Sequence, residues 1–326
     1  METKKTNLLI IGAGLSGLLA AAKAEKCGID YLVIEKSSIL PKAKIHYLHS
    51  DMNNALPIKL KKIEIFKNIY WKGEFLDKFN IPMMNEFACK TNEKLTENSI
   101  KYINGEREFG YIPFSGIENI SDELFSCLNR ERFIFGAEYE NSFNNNESND
   151  EIIVKLDTNE KIICKNIIST IPLPVMLKTL GVDVDCLKTM PLNMIELKIN
   201  KENREKILET DLYEIIYLPS CEFGMSRFSI LGKRFVIELA EEEFDEKRFE
   251  EFFGIFSGFK EKLNFKYIKA TNPYGRFCPI DEDKRIELIN RLIKKKIYPA
   301  GRYASWKYKR VDSVADDIEE IFKKIN

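Results

Sequence analysis

Residues 12–17 read Gly-Ala-Gly-Leu-Ser-Gly, set between the apolar run NLLIIG (7–12) and the Ala/Leu-rich stretch Leu15–Cys27. An unbroken apolar run bounded by glycine predicts a strand buried on both faces of a parallel sheet. The Ala/Leu-rich stretch predicts a helix that stops before Gly28, and DYLVIE (30–35) predicts a second strand. A βαβ unit with this first turn needs glycine for three separate reasons. Gly12 permits the tight turn, Gly14 lets the backbone approach a pyrophosphate, and Gly17 allows the helix to pack closely on the strand. The amides of the first helical turn, at Leu15 and Ser16, then face the phosphates together with the positive end of the helix dipole. Glu35 ends the second strand, 18 residues after Gly17, where a carboxylate accepts from ribose hydroxyls; Lys36 follows it and joins the expected cofactor set. An acid there disfavours the 2′-phosphate of NADP but leaves FAD and NAD both open.

Composition narrows the remaining classes. The chain has 326 residues and a formal net charge of −1, with 50 Lys+Arg against 51 Asp+Glu. That balance argues against nucleic acid as a partner, because such affinity rests on basic side chains neutralising phosphates. The length predicts about two domains. The seven cysteines are scattered without a CxxC, and His46 and His49 are the only histidines. A metal centre is therefore not expected, and reduced thiols in the cytoplasm fit better than a disulfide framework. The apolar stretch 8–20 is too short to span a bilayer and carries three glycines, so no integral membrane segment is expected. Gly-x-Ser-x-Gly and P-loop patterns are absent, which removes hydrolase and kinase readings.

Further along, the signal is uneven. Residues 36–110 give little, with 90–99 polar enough for an exposed loop. A helix is expected over 119–130 with Ser121 as N-cap, then strand-like runs at 132–143, 151–157 and 161–169, with NNNESND (144–150) as a hairpin tip. Strands are expected at 213–218 and 234–240, followed by a charged helix over 241–263. A strand at 265–270, a helix at 283–295, a strand at 297–300 and a helix at 312–325 complete the reading. The Glu241–Glu243 and Lys294–Lys296 runs read as solvated helix ends.

Four distant segments then bear a likeness in family order. Tyr111-Ile112-Pro113-Phe114-Ser115-Gly116-Ile117 before a helix is similar to a YPxGGxxxL element, with Ser115 in place of its first glycine. FIFGAEYENS (133–142) is similar to a strand that contacts adenine, with Tyr139 near the contact position. Ile168-Ser169-Thr170-Ile171-Pro172 is similar to an STIPLP segment that passes the nucleotide half of the cofactor near Thr170. Gly301-Arg302-Tyr303-Ala304-Ser305-Trp306-Lys307-Tyr308, followed by Val311-Asp312-Ser313-Val314, is similar to a GRFxxWKY…D element that carries cofactor contacts. Together these resemble the flavin-dependent amine oxidase superfamily, in particular its protoporphyrinogen-oxidase-like and UDP-galactopyranose-mutase-like branches. The resemblance implies FAD as cofactor and an α/β fold: a Rossmann-type parallel sheet with a β-meander and an inserted α+β substrate domain. It implies a discontinuous FAD domain over 1–75, 110–182 and 270–326, and a substrate domain over 76–109 and 183–269.

The substrate side follows from the same resemblance. Tyr217-Leu218-Pro219 through Arg227 is similar to a mutase segment whose arginine faces the active site, which makes Arg227 a candidate catalytic residue. PYGRFCPID (273–281) is similar to a YGxxxPID turn of mutase-like relatives. Relatives run a loop past the flavin shortly after the second strand, with Gly-Gly-Arg in oxidases and Gly-Gly-His in mutases. This chain has Lys42-Ala43-Lys44 there, with His46 and His49 as candidate acid–base groups. The expected activity is oxidoreduction, with hydride passing from a small or medium organic substrate to flavin N5. The alternatives are a mutase-like non-redox flavoenzyme acting on a nucleotide sugar, and a catalytically degenerate FAD-binding protein. The missing Gly-Gly-His and a substrate domain that looks small both weigh against the mutase.

Overall fold

The computed structural model describes residues 3–52, 55–91, 107–144, 150–199, 213–220, 224–232, 234–240, 244–257, 265–278 and 280–325. Most of the 90–99 loop, the 145–149 tip and Glu241–Glu243 lie outside the described residues. In chain order the elements are β1 (Thr3–Lys5), β2 (Leu8–Ile11), α1 (Leu15–Lys26), β3 (Tyr31–Glu35), β4 (Leu60–Trp71), β5 (Glu74–Leu76), α2 (Ile81–Thr91), β6 (Arg107–Pro113) and α3 (Ile120–Ser126). Next come β7 (Phe133–Phe135), β8 (Tyr139–Asn144), β9 (Ile152–Leu156), β10 (Lys161–Cys164), β11 (Asn166–Ser169), α4 (Leu173–Thr179), β12 (Thr189–Ile199) and β13 (Tyr213–Tyr217). The chain closes with β14 (Met225–Leu231), β15 (Arg234–Leu239), α5 (Glu246–Ser257), β16 (Phe265–Phe277), α6 (Glu282–Ile293), β17 (Ile297–Pro299) and α7 (Val311–Ile325).

The chain forms two compact units. The first joins Met1–Lys62, Tyr111–Lys188 and Phe277–Asn326; the second joins Ile63–Gly110 and Thr189–Arg276. Relative to the expected boundaries, residues 63–75, 110 and 270–276 fall in the second unit and 183–188 in the first.

In the first unit a five-stranded sheet runs β17-β11-β2-β3-β7, and every pair in it is parallel. β2 is central and fully buried, as its unbroken apolar run requires. The strand order reverses between β2 and β11, which makes that gap the topological switch point of the sheet. A second sheet runs β1-β10-β9-β8. Two of the expected runs are corrected here, because each feeds both sheets. The 132–143 run breaks at Gly136, whose φ of +72° turns the chain out of β7 before β8 begins. The 161–169 run breaks at Lys165, whose N–H, like that of Asn166, donates to the Asn7 carbonyl. Ser121 is also corrected: it sits inside α3, fully buried, and its Oγ accepts from the Ala43 amide at 3.0 Å. On α7, Val314, Ile318, Ile321 and Phe322 form the buried stripe, and Glu319 pairs with Lys23 of α1 at 2.5 Å.

The second unit is an eight-stranded sheet, β16-β12-β15-β14-β13-β4-β5, with β6 pairing β4. Phe249, Phe252 and Phe253 of α5 pack against Phe228 and Phe235 on one face. Two expectations change. β16 continues to Phe277, so residues 273–277 are strand rather than turn. A Cβ on Gly275 would lie 2.0 Å from the Leu192 Cβ, so glycine serves the close approach of two strands. The second change is β4, a long strand in a region where the sequence signal was weak. Its inward positions include Lys67, which is buried and paired with Glu108 at 2.5 Å, and this hides the alternation of Ile63, Ile65 and Ile69.

Candidate functional site

Three loops meet at the C-terminal ends of the parallel strands in the first unit. The Gly12 amide donates to Ile34 O, the Thr170 amide to Ile11 O and the Ala300 amide to Ser169 O, at 2.8, 3.0 and 2.9 Å. These bonds fix the loops that follow β2, β11 and β17 against one another. Gly12 has a φ of +97°, and a Cβ there would come within 2.5 Å of Thr170 Oγ1. A Cβ on Gly17 would lie 1.9 Å from Gly12 O, and one on Gly301 would lie 2.5 Å from Ser16 Oγ. Thr170 Oγ1 reaches Ile11 O at 2.8 Å and Gly12 O at 3.3 Å. The crest is thus packed to backbone contact on its inner side.

Its outer side is open. A Cβ on Gly14 would meet nothing within 4 Å. Gly14 is also the N-cap of α1, and no side chain caps that helix. Uncapped first-turn amides and the helix dipole form an anion site. The side chain of Arg302, directly after Gly301, makes no hydrogen bond or ion pair among the described residues, and its Nε is buried without a partner. Its guanidinium is held by rings instead, 4.3 Å from Tyr308, 5.6 Å from Phe277 and 5.7 Å from Tyr303. At the start of α7, Asp312 Oδ1 is likewise buried without a partner. Asp312 also lines a cavity of about 490 Å³ with Ser50, Asp51, Met52, Ala55, Ala315, Asp316 and Glu319. An open glycine cradle, unspent amides, an arginine with no carboxylate and an orphaned acceptor fit a dinucleotide: anionic at the pyrophosphate, rich in hydroxyl donors beside it.

The other expected residues divide. The Glu35 carboxylate accepts from the Ala13 and Ser37 amides at 2.8 and 2.9 Å, so it braces the glycine turn as well as ending β3. Lys36 forms an exposed ion pair with Glu138 at 2.9 Å. Tyr139 lies in the core, its hydroxyl 2.7 Å from Ser142 Oγ, and burial raises its pKa. Ser313 is half-buried beside Asp312, and Val314 is part of the packing stripe of α7. In the flanking loop, Leu48 pairs with Tyr111, and His49 packs edge-on against Tyr47 at 4.7 Å. His46, three residues earlier, is half-buried in the same loop. Arg227 belongs to the second unit, where it pairs with Glu238 across the β14–β15 ladder. Tyr217, opposite Arg227 on β13, is buried, and this burial raises its pKa against the opposing pull of Arg227. Phe79 and Phe87 pack edge-on against the Tyr217 ring. Sequence reasoning passed over Phe277 and Tyr308, which hold Arg302, and Glu238, which holds Arg227. Tyr308 stood inside the quoted GRYASWKY segment and Phe277 inside PYGRFCPID, neither singled out; nothing local marked Glu238.

The fold is an α/β one, and the crest lies at the switch point of its parallel sheet, the place where open α/β sheets bind their ligands. No family model matches the chain, and no curated protein sequence does. Solved structures do match it. A reduced UDP-galactopyranose mutase gives a TM-score of 0.69 at 13% identity, covering 98% of this chain and 94% of that one. Putrescine oxidase bound to putrescine gives 0.59 at 12% identity, covering 99% and 100%. Aklavinone-11 hydroxylase in a ternary complex with FAD and aklavinone gives 0.59 at 13% identity, covering all of this chain and 63% of that one. The fold is therefore the one these enzymes share, and a UDP-galactopyranose mutase, the namesake of one of the two branches that the motifs resemble, is among them. This chain spans 94% of that mutase, so the expectation of a substrate domain too small for a mutase gains nothing from its length. Among the described residues no helix is long and apolar enough to cross a membrane.

Proposed function

We propose that this chain is an FAD-dependent oxidoreductase that takes hydride from a small or medium organic substrate. The observation that carries the reading is the crest at the switch point, where Gly14 leaves an open cradle and Arg302 carries a charge that no carboxylate offsets. Bound there, FAD would supply the hydride acceptor, flavin N5. The protein's own part is to bind and orient it. Amides of Gly14–Gly17 and the Arg302 guanidinium hold the pyrophosphate, Glu35 accepts from a ribose hydroxyl, and Asp312 accepts from a hydroxyl near the start of α7. Of the residues expected earlier, Thr170 and Gly301 shape the crest, while Lys36, Tyr139 and Val314 act at a distance. His46 and His49, the chain's two imidazoles, are the candidate acid–base groups. Arg227, oriented by Glu238 in the second unit, is the candidate for substrate contact. The experiment is a visible spectrum of the purified protein with an FAD titration, repeated for Gly14→Glu. We expect flavin bands in the wild type and none in the variant, with the same far-ultraviolet circular dichroism. A colourless wild type that takes up no added FAD overturns the reading.

A second reading, a mutase-like non-redox flavoenzyme acting on a nucleotide sugar, is favoured by one observation: the TM-score of 0.69 to the mutase exceeds the 0.59 to the oxidase and the hydroxylase. Anaerobic mixing separates the two. Bleaching of the bound flavin by amines or alcohols supports the oxidoreductase; uridine-nucleotide binding only after dithionite reduction supports the mutase. Neither response from a fully loaded protein leaves the degenerate FAD-binding protein, which the altered 42–49 loop motivates.

A further inference from the structure

We propose that Tyr308 is a positioning residue that holds the Arg302 guanidinium with its hydrogen-bond donors unspent for the cofactor diphosphate; the inference rests on the FAD reading above. Buried or half-buried arginines ordinarily sit against carboxylates, which offset the charge and occupy the N–H fork. Arg302 is held differently. Its guanidinium carbon lies 4.3 Å from the Tyr308 ring centre, with Phe277 and Tyr303 at the next distance. An aromatic face attracts the cation through its quadrupole and consumes none of its five N–H donors. The charge therefore remains available to an anion.

The clamp is itself fixed. Tyr308 stacks on Phe277 at 4.4 Å and donates its hydroxyl to Phe277 O at 3.4 Å. Phe277 is buried and meets Trp306 at 5.0 Å. Trp306 has a φ of +50°, a left-handed conformation that a bulky side chain rarely adopts. Its burial and the bond from Nε1 to Cys278 O, 3.2 Å, hold it there. That turn reverses the chain within six residues, so Tyr308 returns to the side chain of Arg302. The loop is pinned at its start as well: Ser305 donates to Gly301 O through both its amide and its hydroxyl, and Gly301 abuts Ser16 in the first turn of α1. Strain at Trp306 thus has a local product, a cation fixed on three rings in the loop whose first residue, Gly301, abuts the first turn of α1.

A double-mutant cycle tests this on the full-length apo protein, with FAD followed by quenching of flavin fluorescence and ADP by calorimetry. Tyr308→Leu is expected to weaken both ligands about tenfold, and Tyr308→Phe, which keeps the ring, by less than about twofold. Adding Tyr308→Leu to Arg302→Ala is expected to cost nothing further, because a ring that acts through the arginine has no work left once it is gone. A merely structural tyrosine would instead give additive losses. Wild-type affinity in Tyr308→Leu, or additivity with Arg302→Ala, overturns the proposal while leaving FAD binding intact. Coupled losses for ADP in a protein that refuses FAD sink the FAD reading and leave the clamp standing. A wild type that binds neither ligand overturns both. Tyr308 is 48% exposed, so Tyr308→Leu is expected to fold; should it not, Tyr308→Met serves in its place.

Discussion

Thr170 and Gly17 show how little space the crest leaves at the residue scale. The Thr170 hydroxyl occupies the volume that a Gly12 side chain would need and touches the carbonyls of Ile11 and Gly12. Thr170→Val keeps the shape and removes the donor, so it is expected to cost about 1 kcal/mol in apo stability. It should also weaken FAD by loosening the turn; Thr170→Ser should restore both. Chemical denaturation and an FAD titration of the two variants check this, and a Val variant equal to wild type in both measurements refutes it. Gly17→Ala should be worse, because the clash is with the Gly12 carbonyl of the backbone itself. A loss of about 1–3 kcal/mol, read in the same denaturation, is the expectation for overpacking of this kind. The glycines were legible in the sequence because their reason is backbone geometry, which a motif carries. Tyr139 and Val314 were not, since their place in the core depends on partners that no local pattern names. Arg302 was marked by its motif as a candidate cofactor residue, yet its aromatic clamp brings together Phe277 and Tyr308, 31 residues apart.

At the scale of elements, strands with one kind of environment read well and strands that change environment did not. β2 and β3 announce themselves as continuous apolar runs because both faces are covered. Residues 161–169 also look like one run, yet β10 alternates between half-buried and buried positions while β11 is buried almost throughout. The change of period marks the switch between sheets, but it lies in burial alone: KIIC and NIIS both open on a polar residue and two isoleucines, so the sequence does not show it. β4 was harder, because charged residues inside a sheet face look like surface until their partners are known. β13 raises the same issue with Glu214, which is buried and accepts from the Asn68 amide. Burial raises its pKa, with the Asn68 bond opposing. The folded protein therefore holds this proton at pH values where the unfolded chain has released it. Stability contributed by Glu214 is full below the ordinary carboxylate pKa of 4.5 and falls as pH rises toward the raised value. Glu214→Gln keeps an acceptor for Asn68 and removes the ionisation. It should melt higher than wild type at pH 7 and show a flatter dependence of melting temperature on pH above 4.5; a lower melting temperature with an unchanged slope would count against this account.

For the whole molecule, the decisive property is that the crest proposed to bind FAD draws on all three segments of a discontinuous unit. Gly12–Gly17 come from the first segment, Thr170 from the second, and Gly301, Arg302 and Asp312 from the third. Sequence motifs gave the members of this set in order, but the division into units had to come from which strands pair. β6 and β16 each cross a boundary within one strand, at Tyr111 and Phe277, so no linker composition marks the change. A ligand that ties three segments together should act on the stability of that unit as a whole. Binding to the folded state alone contributes about 2.7 kcal/mol at a free ligand concentration of 100 Kd. For a domain of ordinary size this is roughly 5–10 °C in melting temperature. Adding FAD to the apo protein is therefore expected to raise its first unit's transition by that amount, with the shift growing with the logarithm of FAD concentration. If calorimetry resolves two transitions, only one should move. In Gly14→Glu neither should, because the cradle is filled while the bonds that join the three segments are untouched. A Gly14→Glu protein whose apo melting temperature is unchanged, and whose transition still climbs with FAD, would place the cofactor somewhere other than the switch point.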